Sequence, residues 1–196
     1  MMNVLILGAN GQIARFATDL FLKSTDAQLT LYLRNSRRLK NSDPSRVRIV
    51  EGDVLDAQKL KESMAGQDVV YANLAGNLEE MARTIVKAMD ETGVRRLLFV
   101  SSMGVYDEIP GDSLGSILDP YRKATRIIED SDLDYTVLRP AWLNNRDEIA
   151  YGTTQKGEPF KNASAVVSRK SVADLVVKLA TTPSMEIRRS VGIHKE

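Results

Sequence analysis

Short apolar runs alternate with amphipathic segments along most of the chain. The apolar runs predict strands at 4–7, 29–33, 47–53, 68–76, 96–102 and 134–140, with shorter ones at 165–168 and near 190–193. Apolar residues at helical spacing predict helices over 13–23, 56–64, 77–93, 121–130 and 171–180. Strands that are apolar throughout and separated by helices are typical of a parallel sheet covered on both faces. The pattern therefore predicts an α/β fold: a single domain with a doubly wound parallel sheet.

Two polar segments interrupt this pattern. Residues 35–45 and the Gly-, Pro- and Asp-rich residues 104–119 are expected to form surface loops. The residues that follow the sixth strand, 142–196, are too few for a separate substrate domain. We therefore expect them to complete the sheet of one domain spanning 1–196, and to form a small pocket together with the 104–119 loop.

The composition narrows the possible functions. Lys and Arg number 27 against 26 Asp and Glu, so no net field favours nucleic acid or an anionic membrane surface. The chain has no cysteine and a single histidine, His194, which argues against thiolate catalysis, a metal site and a Ser-His-Asp triad. No signal-peptide start and no run of about 18 apolar residues is found, so we expect a cytoplasmic protein.

Two glycines, three residues apart, follow the most hydrophobic strand directly. Gly8 and Gly11, with Ala14 three residues later, stand between the first strand and the first helix. Such a turn lets the backbone approach a pyrophosphate, while the helix N-terminus supplies amide donors and a positive dipole. An ordinary tight turn is the alternative, but the position inside a βαβ unit favours a dinucleotide site.

The end of the second strand indicates which dinucleotide is bound. An NAD site usually has an acidic residue there, whereas this chain has Arg34, followed by Arg37, Arg38 and Lys40, with no acid before Asp43. A guanidinium suits the 2′-phosphate of NADP, because it can bind phosphate oxygens in a bidentate manner. A solvated basic loop is the alternative. We predict NADP as the cofactor, with NADPH preferred over NADH, bound by Arg34 and secondarily by Arg37 or Arg38.

Two further strand ends fit the same site. Asp53 ends the third strand, where a carboxylate can accept a hydrogen bond from the adenine amine and Val54 can cover the ring. Small residues over 73–76, at the end of the fourth strand, would let a ribose pass close to the backbone.

These motifs together resemble a known family. GANGQIA, the Arg34 strand end, EGDVLD, ANLAG, VSSMGVY and LDYTVLRPAWL are similar to the atypical short-chain dehydrogenase/reductases. Within them, the nearest likeness is to the NAD(P)H-binding group of nitrogen-metabolite-repressor-like and biliverdin-reductase-B-like proteins. The resemblance covers residues 3 to about 145 and implies a Rossmann-like fold.

The resemblance also implies a set of cofactor contacts. The pyrophosphate would lie against Gly8, Asn10, Gly11, Gln12 and Ile13. The 2′-phosphate would lie against Arg34, the adenine against Asp53 and Val54, and the ribose against Leu74, Ala75 and Gly76. The nicotinamide would face Ser101, Ser102, Pro140, Ala141 and Trp142.

The chain departs from the family in its proton-transfer residues. The best-known members use a Tyr with a Lys four residues later, but Tyr121 is followed at that spacing by Thr125, and Lys123 is only two residues away. Tyr121, Ser102 and Tyr106 remain candidate proton donors, with Tyr121 and Ser102 as the catalytic assignments.

Two functions from different classes follow. The first is an NADP(H)-dependent oxidoreductase that reduces a small quinone-like or aromatic acceptor. The alternative is a non-catalytic NADP(H)-sensing regulator that binds a protein partner. Isomerase or dehydratase chemistry on nucleotide sugars is disfavoured by the missing Tyr-Lys pair and the short C-terminal part. In either case we expect a monomer or a weak homodimer.

Overall fold

The structure is a computed structural model that describes residues 1–37, 39–40, 43–109 and 114–196. Its strands are β1 (Asn3–Leu7), β2 (Gln28–Leu33), β3 (Val47–Glu51), β4 (Val69–Ala72), β5 (Arg96–Val100), β6 (Asp134–Pro140), β7 (Trp142–Asn144), β8 (Gly152–Gln155), β9 (Val166–Ser168) and β10 (Arg189–His194). Its α-helices are α1 (Gln12–Ser24), α2 (Ala57–Met64), α3 (Leu78–Thr92), α4 (Asp119–Glu129) and α5 (Arg169–Thr181). A short 3-10 helix (Gly115–Leu118) precedes α4.

An eight-stranded sheet organises the domain. Its strand order is β3-β2-β1-β4-β5-β6-β10-β8. β8 is antiparallel to β10, and the other neighbouring pairs in this sheet are parallel. The chain builds outward from β1 in one direction and then resumes with β4 on the other side, which is the doubly wound arrangement predicted from the sequence. The predicted fold class is confirmed.

Both faces of the sheet are covered, and this explains the continuous apolar strands. In β1, Val4 and Ile6 belong to the core that includes α1 and α5 residues, while Leu5 and Leu7 belong to the core formed with α2, α3 and α4. All four side chains are fully buried. An alternating pattern would place polar groups in one of these two cores, so the strand is apolar at each position. Among the described residues, no helix is both long and apolar enough to cross a membrane.

Side-chain caps set the starts of three helices. Asp56 accepts a hydrogen bond from the backbone nitrogen of Lys59 at 3.1 Å to begin α2, as its position in the sequence predicts. Asn77 and Ser168 cap α3 and α5 in the same way. The end of α3 is also as predicted, since Gly93 adopts a left-handed conformation with φ of 77°.

The prediction was wrong in the segments with weak apolar patterns. The 104–119 segment was predicted as a loop, but residues 115–118 form the 3-10 helix. β7 and β8 were not predicted, because β8 has the polar sequence GTTQ and β7 is only three residues long. β7 pairs in parallel with β9 as a separate two-stranded sheet, so long-range pairing rather than local pattern decides these strands.

A buried ion pair anchors the segment that follows β5. Arg139 of β6 is 1% exposed, and its guanidinium contacts Glu108 at 2.5 Å. Glu108 also accepts a hydrogen bond from the backbone nitrogen of Tyr106 at 2.9 Å. The Tyr106 hydroxyl donates to Glu129 at 2.6 Å and lies 2.8 Å from the Ser190 hydroxyl, which also accepts from Arg139. The network ties residues 106–108 to α4, β6 and β10.

Candidate functional site

A cavity of about 280 Å³ lies at the carboxyl ends of β1, β2, β3 and β4. It surrounds the point where the strand order reverses between β1 and β4, the place at which open α/β sheets bind ligands. Eight residues predicted to bind the cofactor line it: Gly8, Asn10, Gly11, Arg34, Asp53, Val54, Leu74 and Ala75. Six others also line it: Tyr32, Leu33, Asn35, Gly52, Asn73 and Met81.

The residue that follows β4, Asn73, packs against both glycines of the turn. Gly8 has φ of 77°, and a Cβ atom there would collide with the backbone oxygen of Asn73. A Cβ atom at Gly11 would collide with the side-chain nitrogen of Asn73. The turn therefore lies directly against β4, and the two glycines make this approach possible.

The turn also leaves the start of α1 available to a ligand. Gly11 is the N-cap residue of α1, and none of the described side chains caps this end. The first amides of a helix need acceptors from outside, and anions satisfy them well. Arg15, one turn into the helix, donates through Nε to the backbone oxygen of Asn10 at 3.2 Å and through Nη2 to its side-chain oxygen. Asn10 is thereby held at the cavity wall.

A tyrosine holds the opposite end of the cavity. The hydroxyl of the buried Tyr32 donates to the backbone oxygen of Asp53 at 2.8 Å, and a Cβ atom at Gly52 would lie 2.6 Å from Cζ of the ring. Burial, with a smaller contribution from the carboxylates of Asp56 and Asp53, raises the pKa of Tyr32 to about 12. Tyr32 is therefore a neutral donor at ordinary pH. Asp53 itself accepts from the backbone nitrogen of Leu55 at 2.9 Å.

The predicted arginines differ in their placement. Arg34 is exposed, lines the cavity, and forms no ion pair with any carboxylate of the described residues. Arg37 is exposed but does not line the cavity, and its backbone nitrogen donates to the Asn35 side chain at 3.0 Å. Arg38 lies outside the described residues.

The remaining predicted contacts do not line this cavity. Gln12 and Ile13 begin α1, and Gly76 is exposed with φ of 100°. Ser101 is buried, and its hydroxyl forms a hydrogen bond of 2.8 Å with the Thr125 hydroxyl. The Ser102 hydroxyl donates to the backbone oxygen of Met103. Pro140 ends β6 and Trp142 begins β7, with Ala141 between them, on the far side of β5 from the cavity. The cavity thus brings together eight of the predicted contacts, which belong to the glycine turn and to the ends of β2, β3 and β4. The assignments of the other residues, including those to the nicotinamide, stay predictions.

The surroundings of Tyr121 differ from those of a Tyr-Lys pair. Tyr121 lies in the first turn of α4 and is partly buried. Thr125, where the family's lysine would stand, is buried against Ser101. Lys123 forms an ion pair with Glu79 at 3.2 Å. Neither side chain is placed to assist the tyrosine as a lysine would.

Comparison with known proteins decides the family. The model of the NAD(P)H-binding family matches residues 8–183. The chain belongs to this family. The match begins at Gly8, so it includes the whole glycine turn, and it extends through α5.

Two solved structures share the same fold, and a further relative is similar in sequence. A Rossmann-fold NAD(P)-binding family protein from Shigella flexneri is 42% identical, covers 100% of this chain and 94% of its own, and has a TM-score of 0.87. A short-chain dehydrogenase/reductase from Veillonella parvula DSM 2008, solved in complex with NADP, is 30% identical over 99% of this chain and 94% of its own, with a TM-score of 0.89. An uncharacterized sugar epimerase, YhfK, from Bacillus subtilis is 24% identical over 90% of this chain and 86% of its own. The chain therefore has an NAD(P)-binding, oxidoreductase-like Rossmann fold.

Proposed function

We propose that the protein is an NADP(H)-dependent oxidoreductase that reduces a small quinone-like or aromatic acceptor. The observation that carries the cofactor preference is Arg34, a cation at the end of β2 that faces the cavity without a carboxylate partner among the described residues. The same strand end usually carries an acid in NAD sites. The relative from Veillonella parvula, which was solved with NADP, supports the preference.

The cavity residues have distinct roles in this proposal. The amides at the start of α1 and the glycine turn would hold the pyrophosphate, and Asp53, whose backbone oxygen accepts from Tyr32, would accept a hydrogen bond from the adenine amine. Leu74 and Ala75, which line the cavity after β4, would contact the ribose. When bound, the reduced nicotinamide supplies a hydride. The protein orients the acceptor, and Tyr121 or solvent supplies the proton.

The acceptor surface in this proposal is the sheet formed by β7 and β9. Trp142 is 51% exposed and Val166 is 41% exposed, and the two residues are paired across these strands. Leu143 and Val167, the next pair, belong to the core side instead. Trp142 and Val166 thus offer a flat apolar face directly after β6, which suits a planar acceptor.

Replacing Arg34 tests the cofactor preference. Arg34→Ala should weaken NADPH about 10- to 100-fold, because it removes a charge-assisted pair worth roughly 1.5–3 kcal/mol. NADH affinity should stay nearly unchanged. Lys40→Ala is the matched control, since it removes a charge from the same segment at a residue that does not line the cavity. Equal weakening of both cofactors in isothermal titration, or tighter NADH binding by the wild type, would refute the preference.

Replacing Tyr121 tests the proton donor. Without an assisting lysine, Tyr121 acts only as a donor that solvent can replace, so Tyr121→Phe should slow acceptor reduction by about tenfold at most. Tyr106→Phe is a useful comparison, because that hydroxyl is already bound to Glu129 and Ser190 and should not serve the acceptor. A loss of more than about a thousandfold in single-turnover rate for Tyr121→Phe would make this tyrosine the essential acid and contradict the proposal.

The alternative is an NADP(H)-sensing regulator that binds a protein partner. The observation in its favour is Thr125, which stands where the family's catalytic lysine would be. Its hydroxyl forms a hydrogen bond with the Ser101 hydroxyl. A regulator would bind NADPH tightly, turn over no acceptor, and capture its partner in only one redox state of the cofactor.

A further inference from the structure

The segment that carries Arg34 and Arg37 is tied to the neighbouring strand by one carboxylate. Both the backbone nitrogen and the hydroxyl of Ser36 donate to the same oxygen, Oε1 of Glu51, at 2.8 and 2.5 Å. The backbone oxygen of Ser36 accepts from the backbone nitrogen of Leu39 at 2.8 Å. Ser36 is therefore fixed through its backbone on both sides as well as through its side chain.

Glu51 occupies a position from which it can act on the 2′-phosphate region. It is the last residue of β3 and is paired in register with Leu33, the residue immediately before Arg34. Gly52 and Asp53, the next two residues, line the cavity. Glu51 thus lies between the arginine-bearing segment and the turn assigned to the adenine.

The carboxylate of Glu51 is ionised, and neighbouring groups stabilise its negative charge. The hydrogen bonds from the Ser36 side chain and backbone, and then the charges of Arg37 and Lys59, hold the pKa of Glu51 below its usual value. An isolated carboxylate beside a phosphate site would repel the ligand, but this one accepts two hydrogen bonds from Ser36, and the charges of Arg37 and Lys59 also stabilise its ionised form. Because Glu51 is exposed, these interactions add little to stability, and its main effect is on geometry.

We propose that Glu51 is a positioning residue for dinucleotide preference. By holding Ser36, it sets the course of residues 34–37 so that the guanidinium of Arg34 extends over the cavity. This inference rests on the proposed NADP preference and adds a residue that acts on it from a different strand. A segment released from Glu51 would sample other conformations, and apparent affinity falls with the fraction of molecules in the competent one.

The test uses two adenosine ligands that differ only in the 2′-phosphate. Adenosine 2′,5′-bisphosphate and adenosine 5′-monophosphate are titrated by calorimetry into the wild type, Arg34→Ala, Glu51→Ala, Glu51→Gln and Ser36→Ala. Glu51→Ala should weaken the bisphosphate about tenfold and leave the monophosphate unchanged, as expected if a tenth of the molecules keep the competent segment. Glu51→Gln should stay within about threefold of the wild type, because its amide oxygen can still accept from Ser36. Ser36→Ala should fall between these two variants.

Several outcomes would overturn the inference. An unchanged ligand ratio in Glu51→Ala would show that the segment needs no anchor. Tighter bisphosphate binding by Glu51→Ala or Glu51→Gln would show that the carboxylate repels the phosphate. Equal weakening of both ligands would show that Glu51 acts instead on the turn at Gly52 and Asp53, which is assigned to the adenine. A wild type that does not distinguish the ligands would refute the NADP preference itself, whereas a preference that depends on Arg34 but not on Glu51 would refute only the role of Glu51.

Discussion

Gly11→Val should weaken NADPH by at least about 100-fold while the domain stays folded. The valine side chain would stand at the N-cap of α1, where the pyrophosphate must approach the helix amides. Gly11 has φ of −63° and ψ of 150°, a conformation that any residue adopts, so the backbone is not strained. The new Cβ atom would meet the flexible end of Asn73, which can turn away.

Gly8 would be a poorer choice for this test. Its φ is 77°, and a Cβ atom there would collide with the backbone of Asn73, so a substitution would disturb the fold and the site together. Gly11→Ala is the graded control, with a smaller side chain and a smaller expected loss. Calorimetry with NADPH and thermal unfolding are measured on the same samples. If a folded Gly11→Val protein had unchanged NADPH affinity, the glycine turn would not be part of the cofactor site.

Glu108→Ala should lower the free energy of unfolding by about 3–5 kcal/mol. The substitution leaves the guanidinium of Arg139 buried without its carboxylate partner, since the Arg139 and Glu108 side chains are only 2% and 12% exposed. Among the described residues, its remaining hydrogen-bond partners, the hydroxyl and backbone oxygen of Ser190, are neutral, as are the nearby rings of Tyr106 and Phe160. Removing one member of a buried pair is expensive because the other charge stays uncompensated.

The neighbouring residue provides the control for this prediction. Asp107 pairs with Arg122 at 2.8 Å, but its side chain is 84% exposed. Asp107→Asn keeps a residue that tolerates the φ of 58° at this position and should lower stability by less than about 1 kcal/mol. Urea unfolding measures both variants. Similar small losses in the two would show that Glu108 does not anchor the segment after β5.

The fold, and the grouping of the glycine turn and Arg34 around one cavity, follow closely from sequence patterns. Strands buried on both faces are apolar at successive positions, so Val4 to Leu7 identify both the strand and its parallel environment. The glycine turn and Arg34 directly follow strands, and parallel strands bring such ends to one edge. Local sequence is sufficient to predict that these residues lie together, because the topology of the sheet brings the ends of its parallel strands to one edge.

The contacts that sequence reasoning missed depend on register between strands. Tyr32 reads as an ordinary strand residue, yet its hydroxyl bonds to Asp53, 21 residues away. Asn73 lies against both glycines of the turn only because β4 lies beside β1. The family resemblance assigns Ser101 to the nicotinamide, but the sequence alone does not show that its hydroxyl bonds to the Thr125 hydroxyl of α4. No periodicity in the chain specifies these pairings.

Turnover of NADPH tests the central claim most directly. The protein is incubated with NADPH or NADH and a panel of quinones, flavins and aldehydes, and cofactor oxidation is followed at steady state beside calorimetric binding of the same cofactors. We predict slow but saturable oxidation with quinone-like acceptors and a higher kcat/KM for NADPH than for NADH. Tight NADPH binding with no oxidation by any acceptor in the panel would contradict the oxidoreductase and favour the regulator.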